Sequence, residues 1–241
     1  MALNRLIGHS AEGKSFFLAL HLLNVGCKYA SPYFKEKCKV LEIGPLGFPS
    51  AYQKIINNPA ITWHTIDFEG SNFIDTAVSK LTYKLESAYH FPVEDESYDI
   101  VLSGQVIEHV GKIWMWLKEL KRVTKINGII ITINPVSWPY HEAPIDCWRI
   151  FPAGIKALAE EVELNVELCL FESLEKEHIL KKDLKSKFIP GQAYNYHISP
   201  NRINALIRWN KAIRKLPLLR RHFEIPIEIS YDTVSILKKN K

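Results

Sequence analysis

The sequence predicts an α/β fold built on a doubly wound, mostly parallel sheet, and two observations support this. From Cys38 onwards, short runs of β-branched and aliphatic residues alternate with helix-length amphipathic segments. A glycine-containing turn joins the first of these runs to the helical segment that follows it. In doubly wound sheets a turn of this kind borders the ligand site.

Residues 1–37 are expected to form an N-terminal helical cap. Within them, GHSAEGKS (residues 8–15) matches the phosphate-binding template G-x-x-x-x-G-K-S, so a P-loop protein that binds ATP is one alternative. A P-loop follows a buried strand, but only MALNRLI precedes Gly8, with Asn4 and Arg5 in its middle. The next residues, 13–25, are better explained as an amphipathic helix, because His21 and Asn24 interrupt an apolar run too short to span a membrane.

Composition and cysteine spacing favour a globular cytoplasmic protein. The 241 residues are 47% hydrophobic and 24% charged, values typical of a chain with a well-buried core. The four cysteines contain no C-x-x-C pair and no metal-ligand spacing, so we expect reduced thiols. They are Cys27, Cys38, Cys147 and Cys169.

Five strands are predicted before residue 136. Their sequences are CKVLEIG, ITWHTID, YKLESA, YDIVLSG and GIIITINP, which begin at residues 38, 61, 83, 98 and 128. Helices are predicted between them, for example on SAYQKIINN from residue 50 and on KIWMWLKELKRVTK from residue 112. Right-handed crossovers would make the strands parallel and bring their carboxyl ends to one edge of the sheet. The ligand site is therefore expected to follow Ile43, Ile66, Glu86, Leu102 and Ile133.

The first strand runs directly into a glycine turn, with the pattern Glu42-x-Gly44-x-x-Gly47. Glycine at such a junction allows backbone angles that other residues avoid and lets a ligand approach the main chain. Asp67 ends the second strand, twenty residues after Gly47, where its carboxylate could bind both ribose hydroxyls. The residues alone therefore predict a nucleoside cofactor. They do not distinguish a dinucleotide dehydrogenase from an enzyme that uses S-adenosylmethionine.

A longer block separates these two possibilities. HFPVEDESYDIVLSGQVIEHV (residues 90–110) resembles the central signature of class I S-adenosylmethionine-dependent methyltransferases, in particular the type 11 family. VLEIGPLG and GIIITINP fit the first and a later motif of that family, and the resemblance covers residues 38–160. It implies a Rossmann-like methyltransferase fold with a seven-stranded sheet, a core over residues 38–172, and S-adenosylmethionine as cofactor. ELNVELCLF and YDTVSILKK would be the last two strands, with the final, antiparallel one in residues 227–241.

The resemblance also implies which residues bind the cofactor. The motif glycines and Glu42 would line its methionine part, Asp67 would hold the ribose, and Gln105 would complete the pocket. The family often has an acid near the adenine amine where this chain has Ser87, so the adenine contacts depart from the family pattern. The full set of implied positions is Glu42, Gly44, Pro45, Gly47, Asp67, Ser87, Ala88, Ser103, Gly104, Gln105 and His109.

A metal site is not predicted. Glu108 and His109 are adjacent and could contribute to one, but Gln105, at helical spacing from Glu108, is a weak ligand.

The loop after the fifth strand is the candidate acceptor site. NPVSWPYHEAPIDCWRIFP contains His141, Glu142, Asp146 and Arg149. Transfer to an oxygen requires a base, and because histidine titrates near neutral pH, we expect His141 as general base, with Asp146 orienting it or acting instead. A purely structural network of His141, Asp146 and Arg149 is the alternative. H-x-x-P-x-D-x-W-R resembles a string in family members associated with surface polysaccharides, which favours O-methylation of a small acceptor such as a sugar or glycan hydroxyl.

Residues 173–226 are predicted to be a helical, basic insertion before the last strand. They contain twelve Lys or Arg residues against four Asp or Glu residues, and Tyr194, Tyr196 and His197. The insertion could serve as a substrate cap for an anionic acceptor or contact a membrane surface. RNA is a less favoured partner, because no RNA-binding module is recognisable. A solvated helix that packs Ile203, Leu206, Ile207 and Ile213 on the core is the alternative.

Overall fold

The computed structural model describes residues 29–34, 37–45, 47–68, 80–137, 140–141, 145–172, 205, 208–209, 211–213, 215 and 232–240. In chain order the strands are β1 (Lys39–Ile43), β2 (Thr62–Phe68), β3 (Tyr83–Leu85), β4 (Tyr98–Gly104), β5 (Thr124–Pro135), β6 (Asn165–Glu172) and β7 (Asp232–Lys238). The helices are α1 (Ala51–Ile56), α2 (Ile113–Val123) and α3 (Pro152–Glu161). Short 3₁₀ turns occupy Ser31–Tyr33 and Ile107–His109.

The strands form one seven-stranded sheet in the order β3-β2-β1-β4-β5-β7-β6. β1 to β5 are mutually parallel, whereas β7 runs antiparallel to both β5 and β6. The order reverses between β1 and β4, which makes the carboxyl ends of these strands the switch point where doubly wound sheets bind ligands. The predicted fold class is confirmed, including the antiparallel last strand.

Helix α2 packs an apolar face on the sheet. Ile113, Trp116, Leu117 and Leu120 follow the i, i+3, i+4, i+7 spacing and are all buried. They join the side chains of β1 and β4 in the core.

The boundary between α2 and β5 differs from the prediction. The helix was expected to continue to residue 125 and the strand to begin at residue 128, but β5 begins at Thr124, directly after Val123. The Thr124 N–H and its hydroxyl both donate to the Leu120 carbonyl oxygen, the hydroxyl over 2.7 Å, so Thr124 caps the end of the helix. A register shift between Tyr98 and Ile100 then accommodates the early start of β5.

The chain divides into two compact units, residues 1–172 with 232–241, and residues 173–231. The first unit contains the whole sheet. Most of the second unit lies outside the described residues, so the predicted substrate cap over 173–226 stays a prediction. The N-terminal cap, the GHSAEGKS stretch and the amphipathic residues 13–25 also lie outside them, apart from residues 29–34 and 37. None of the described helices is long and apolar enough to cross a membrane.

Candidate active site

The glycine turn lies where three strands end side by side. Ile43, the last residue of β1, is paired with Ile66 of β2 on one side and with Ser103 of β4 on the other. The Gly44 N–H donates to the Ile66 carbonyl oxygen over 3.0 Å, so the turn begins next to Asp67. The structure thus brings together the turn and the acid that the sequence identified.

Glycine is required at position 44 for two reasons. Its φ of +66° is in the left-handed region that disfavours other residues. A Cβ atom built there would lie 2.7 Å from Cγ2 of Val106, which is closer than carbon atoms pack. Gly47 has a φ of +82°, and Pro45 between them is buried.

Glu42 is buried behind this turn. Its Oε2 accepts a hydrogen bond from the Ser50 hydroxyl, and the Trp63 indole N–H donates to the same atom over 2.7 Å. Ser50 is the N-cap of α1 and accepts the Gln53 N–H over 3.1 Å. Burial raises the pKa of Glu42 to about 7, against the lowering effect of these two hydrogen bonds. Glu42 therefore fixes the turn to α1 and β2, and its contact with a cofactor stays a proposal.

The residues expected around ribose and adenine lie at the ends of β2 and β3. Asp67 is half-buried, and its Oδ1 accepts the Phe68 N–H over 2.7 Å. Ser87 and Ala88 follow β3, where the Ser87 hydroxyl oxygen accepts the Tyr89 N–H over 3.1 Å. The Ser87 oxygen therefore stabilises a local turn.

Two buried polar atoms at the end of β4 lack hydrogen-bond partners in the part of the chain that the structure describes. They are Oγ of Ser103 and Nε2 of Gln105. Gln105 has a φ of +57°, and its N–H donates to the Ile133 carbonyl oxygen over 2.7 Å. An unpaired buried polar atom is costly, so these atoms suit a site that a polar ligand completes. Next to the glycine turn, the Ser103 hydroxyl and the Gln105 amide can hydrogen-bond an adenosyl ligand, which carries hydroxyl, amine and ring-nitrogen groups.

A second cluster follows directly, on the 3₁₀ turn Ile107–His109 and the loop after β5. The Cys147 N–H donates to the Glu108 carbonyl oxygen over 2.8 Å, which fastens the loop to the turn. Nδ1 of His109 lies 2.5 Å from the Ile145 carbonyl oxygen. The rings of His109 and His141 are perpendicular, with centroids 4.9 Å apart.

Asp146 is the anchor of this loop. Its side chain is 1% exposed, and Arg149 binds it in bidentate fashion with distances of 2.5 and 2.6 Å. The His141 N–H donates to its Oδ2 over 2.8 Å, and the His141 Nδ1 lies 3.3 Å from that atom. Arg149 holds the pKa of Asp146 at about 2, so this carboxylate is a poor proton acceptor near neutral pH and suits the orienting role.

Glu108, which the sequence raised only as a possible metal ligand, is buried to a degree that the sequence did not indicate. Its side chain is 0% exposed, and neither carboxylate oxygen has a hydrogen-bond partner in another described residue. Burial raises its pKa to about 8, against the lowering effect of its own N–H, and Asp232 raises it further. Its burial depends on packing against the loop and β7, and no local pattern signals this. Glu142 of the same loop lies outside the described residues.

Comparisons with known proteins agree with this fold. The profile of a family described as "Methyltransferase domain" matches residues 54–132, from α1 to β5. A search of curated proteins gave no match.

Similar solved structures include a S-adenosylmethionine-dependent methyltransferase from Archaeoglobus fulgidus, 18% identical with a TM-score of 0.53, covering 90% of this chain and 93% of that one. A phosphoethanolamine N-methyltransferase from Haemonchus contortus, in complex with S-adenosyl-L-methionine, is 14% identical with a TM-score of 0.54, covering 100% and 56%. The [4+2]-cyclase SpnF is 13% identical with a TM-score of 0.51, covering 90% and 79%. At these identities the likeness shows the fold alone.

Proposed function

We propose that this chain, which contains a S-adenosylmethionine-dependent methyltransferase domain of the type 11 family, methylates an oxygen atom of a small acceptor such as a sugar or glycan hydroxyl. One observation carries the proposal. A glycine turn, the Asp67 carboxylate and two buried polar atoms without described partners meet at the carboxyl edge of β1, β2 and β4. His109 follows β4 closely in the chain, and His141, from the loop after β5, packs against its ring.

The residues of this edge suit the parts of the cosubstrate. We assign Gly44, Pro45 and Gly47 to its methionine part, with Glu42 fixing the turn, and Asp67 to the ribose hydroxyls. Ser87 and Ala88 border the adenine, and Ser103, Gly104 and Gln105 complete the pocket. S-adenosylmethionine supplies a methyl group on a positively charged sulfur, which is reactive without further activation. The protein's part is to align the acceptor with that methyl carbon and exclude water.

We assign the acceptor to the side of the site formed by His109 and His141. The family resemblance implied His109 for the cofactor, and we reassign it because its ring packs against that of His141. Asp146 faces Nδ1 of His141, so the lone pair of the imidazole is on Nε2. This nitrogen can take the proton of an acceptor hydroxyl, which supports His141 as general base and Asp146 as its orienter. Replacement of His141 by Gln should preserve cosubstrate affinity and lower turnover by two to four orders of magnitude.

The cosubstrate assignment is tested by calorimetry on the full chain. We expect S-adenosylhomocysteine to bind and ATP and NADH not to bind. Asp67→Asn should weaken S-adenosylhomocysteine binding about tenfold or more, because a ribose hydrogen bond to a charged group is lost. Asp99→Asn is the matched control. Asp99 accepts the Lys39 N–H and binds the Lys125 side chain, and both lysines lie at the amino ends of their strands, β1 and β5, away from the glycine turn. ATP binding that disappears in Lys14→Ala would favour the P-loop alternative.

The acceptor class is tested with a methyl-labelled donor. Sugar nucleotides, glycans and RNA are incubated with the enzyme, and incorporated label is measured with wild type and His141→Gln. We expect label in a sugar or glycan with wild type and a large decrease with the variant. Label only in RNA would contradict the proposed acceptor.

A cytoplasmic location is part of the proposal. Among the described residues, Cys147 and Cys169 form no disulfide, and Cys147 is exposed. Free thiols are typical of a reducing compartment. Cell fractionation with a tagged chain tests the location.

A further inference from the structure

Three side chains on the proposed acceptor side of the site lie close together. Glu108, His109 and His141 each offer a ligand atom, and these atoms all lie within 4.8 Å of one another. Glu108 and His109 are on the 3₁₀ turn after β4, whereas His141 is on the loop after β5. The sequence suggested only the first two, because nothing in the spacing places His141 beside them.

The two imidazoles are oriented as metal ligands are. A carbonyl oxygen can only accept a hydrogen bond, so Nδ1 of His109, next to the Ile145 oxygen, carries a proton and Nε2 carries the lone pair. That Nε2 lies 3.7 Å from Oε1 of Glu108. Nδ1 of His141 faces the Asp146 carboxylate in the same way. Support of a ligating histidine by a carbonyl or carboxylate on its other nitrogen is typical of protein metal sites.

Glu108 supplies an independent observation. It is 0% exposed, and its carboxylate has no hydrogen-bond partner in another described residue. A buried carboxylate in this situation is unfavourable unless a cation or a proton compensates it. Asp146 and Asp232, 2% exposed, are close enough to interact electrostatically with Glu108, and Arg149 is the cation among these groups. The local charge is therefore negative when Glu108 is ionised.

We propose that Glu108, His109 and His141 bind one divalent transition-metal ion, of the Mn²⁺ or Zn²⁺ kind, in the acceptor site. Two imidazoles and one carboxylate favour such ions over Mg²⁺ and Ca²⁺, which prefer oxygen ligands alone. Ligand bonds of about 2.1 Å place neighbouring ligand atoms about 3 to 3.5 Å apart, so small side-chain rotations close the site. Three protein ligands leave positions open for oxygen atoms of the acceptor.

The use of this ion in catalysis rests on the proposed function. An acceptor hydroxyl bound to the ion would have a lowered pKa and lose its proton to water more readily. His141 would then act through the ion, because its Nε2 lone pair cannot both bind a metal and accept a proton. A chelator distinguishes these two roles of His141. It abolishes turnover if His141 acts through the ion, and it leaves turnover unchanged if His141 is the general base.

The test uses the full chain, freed of metal by EDTA and dialysis, and titrated with Mn²⁺ alone while free Mn²⁺ is measured by electron paramagnetic resonance. We expect one Mn²⁺ ion per chain. Glu108→Gln and His141→Gln should each weaken binding at least tenfold. His90→Gln is the matched control, because His90 is exposed and lies outside the cluster, and should leave the affinity unchanged.

Two results would overturn the metal site. The first is that no Mn²⁺ binds up to millimolar concentration. The second is that Mn²⁺ binds equally strongly to wild type, Glu108→Gln and His141→Gln. Calorimetry with S-adenosylhomocysteine verifies that each variant is folded. If Glu108→Gln is not folded, His141→Gln alone tests the metal site, because the His141 side chain is 32% exposed. Cosubstrate binding without Mn²⁺ binding refutes the metal site alone, whereas Mn²⁺ binding without cosubstrate binding refutes the proposed function alone.

Discussion

At the residue scale, buried carboxylates determine the properties of the site. Glu42 and Glu108 have raised pKa values because burial disfavours their charged forms, whereas Arg149 keeps Asp146 charged. Asp146 is thereby suited to orient His141. The same kind of side chain thus performs different tasks, and its surroundings determine which.

The raised pKa of Glu42 predicts a pH-dependent stability. Between about pH 4.5 and 7 the folded protein retains a proton on Glu42 that the unfolded chain releases, so folding becomes less favourable as pH rises through this window and is constant above it. Relative to Glu42→Gln, wild type should lose about 3 kcal/mol of unfolding free energy between pH 4.5 and 8. Urea denaturation without ligand measures this difference.

Glu86→Gln is the control for that experiment, because Glu86 is exposed. Its stability difference from wild type should vary little over the same range. A Glu42→Gln difference that is also constant with pH would contradict the raised pKa of Glu42.

At the element scale, the β1–α1 turn depends on contacts from β2 and from the chain after β4. Gly44 donates to Ile66 of β2 and lies against Val106, while Glu42 connects the N-cap Ser50 with Trp63. The turn is thus held in one shape by several elements. A preorganised turn of this kind can receive a ligand without reorganisation.

Gly44→Ala should abolish S-adenosylhomocysteine binding and destabilise the protein by about 2 kcal/mol or more. The backbone strain of a left-handed alanine contributes about 1 to 2 kcal/mol, and the clash with Val106 adds to it. The double variant Gly44→Ala/Val106→Ala removes the clash and retains the strain, so it should recover part of the stability. Urea denaturation and calorimetry measure both effects.

Gly111→Ala is the matched control, because among the described residues its added Cβ would meet the Tyr89 hydroxyl alone, at 3.6 Å, which is an ordinary contact. It should change stability by less than about 1 kcal/mol. Wild-type affinity in Gly44→Ala would show that the turn does not bind the cosubstrate.

At the scale of the whole molecule, the unit that contains the sheet is interrupted by residues 173–231. The strands on either side of this segment, β6 and β7, pair antiparallel up to Glu172 and Asp232, which lie opposite each other. Two such strand ends can be joined by a tight hairpin turn. Long insertions at such a point are tolerated, because loop-closure entropy grows only slowly with length.

Replacement of residues 173–231 by Asn-Gly should therefore give a folded protein. We expect a single cooperative unfolding transition and S-adenosylhomocysteine affinity within about threefold of wild type, since every residue assigned to the cosubstrate lies outside the deleted segment. Circular dichroism and calorimetry measure these properties. A chain that aggregates or fails to bind the ligand would show that the sheet unit is not independent of the segment.

The sequence by itself determined the fold and brought the glycine turn and Asp67 to one edge of the sheet. Strand periodicity, the glycine turn and Asp67 are local signals, and the parallel topology brings the ends of successive strands together whatever the side chains are. The extent of β5 was not predictable, because Thr124 and the shifted pairing with β4 override the local helical pattern.

Only the tertiary structure decided that Glu108, His109 and His141 come together. Glu108 and His141 are 33 positions apart, and they meet because the loop after β5 is fastened to the turn after β4 by the Cys147 N–H. The burial of Glu108 and the capture of Asp146 by Arg149 depend on this packing. Burial and charge pairing arise from contacts between distant segments, and those contacts set the pKa of a side chain whose identity alone leaves it open.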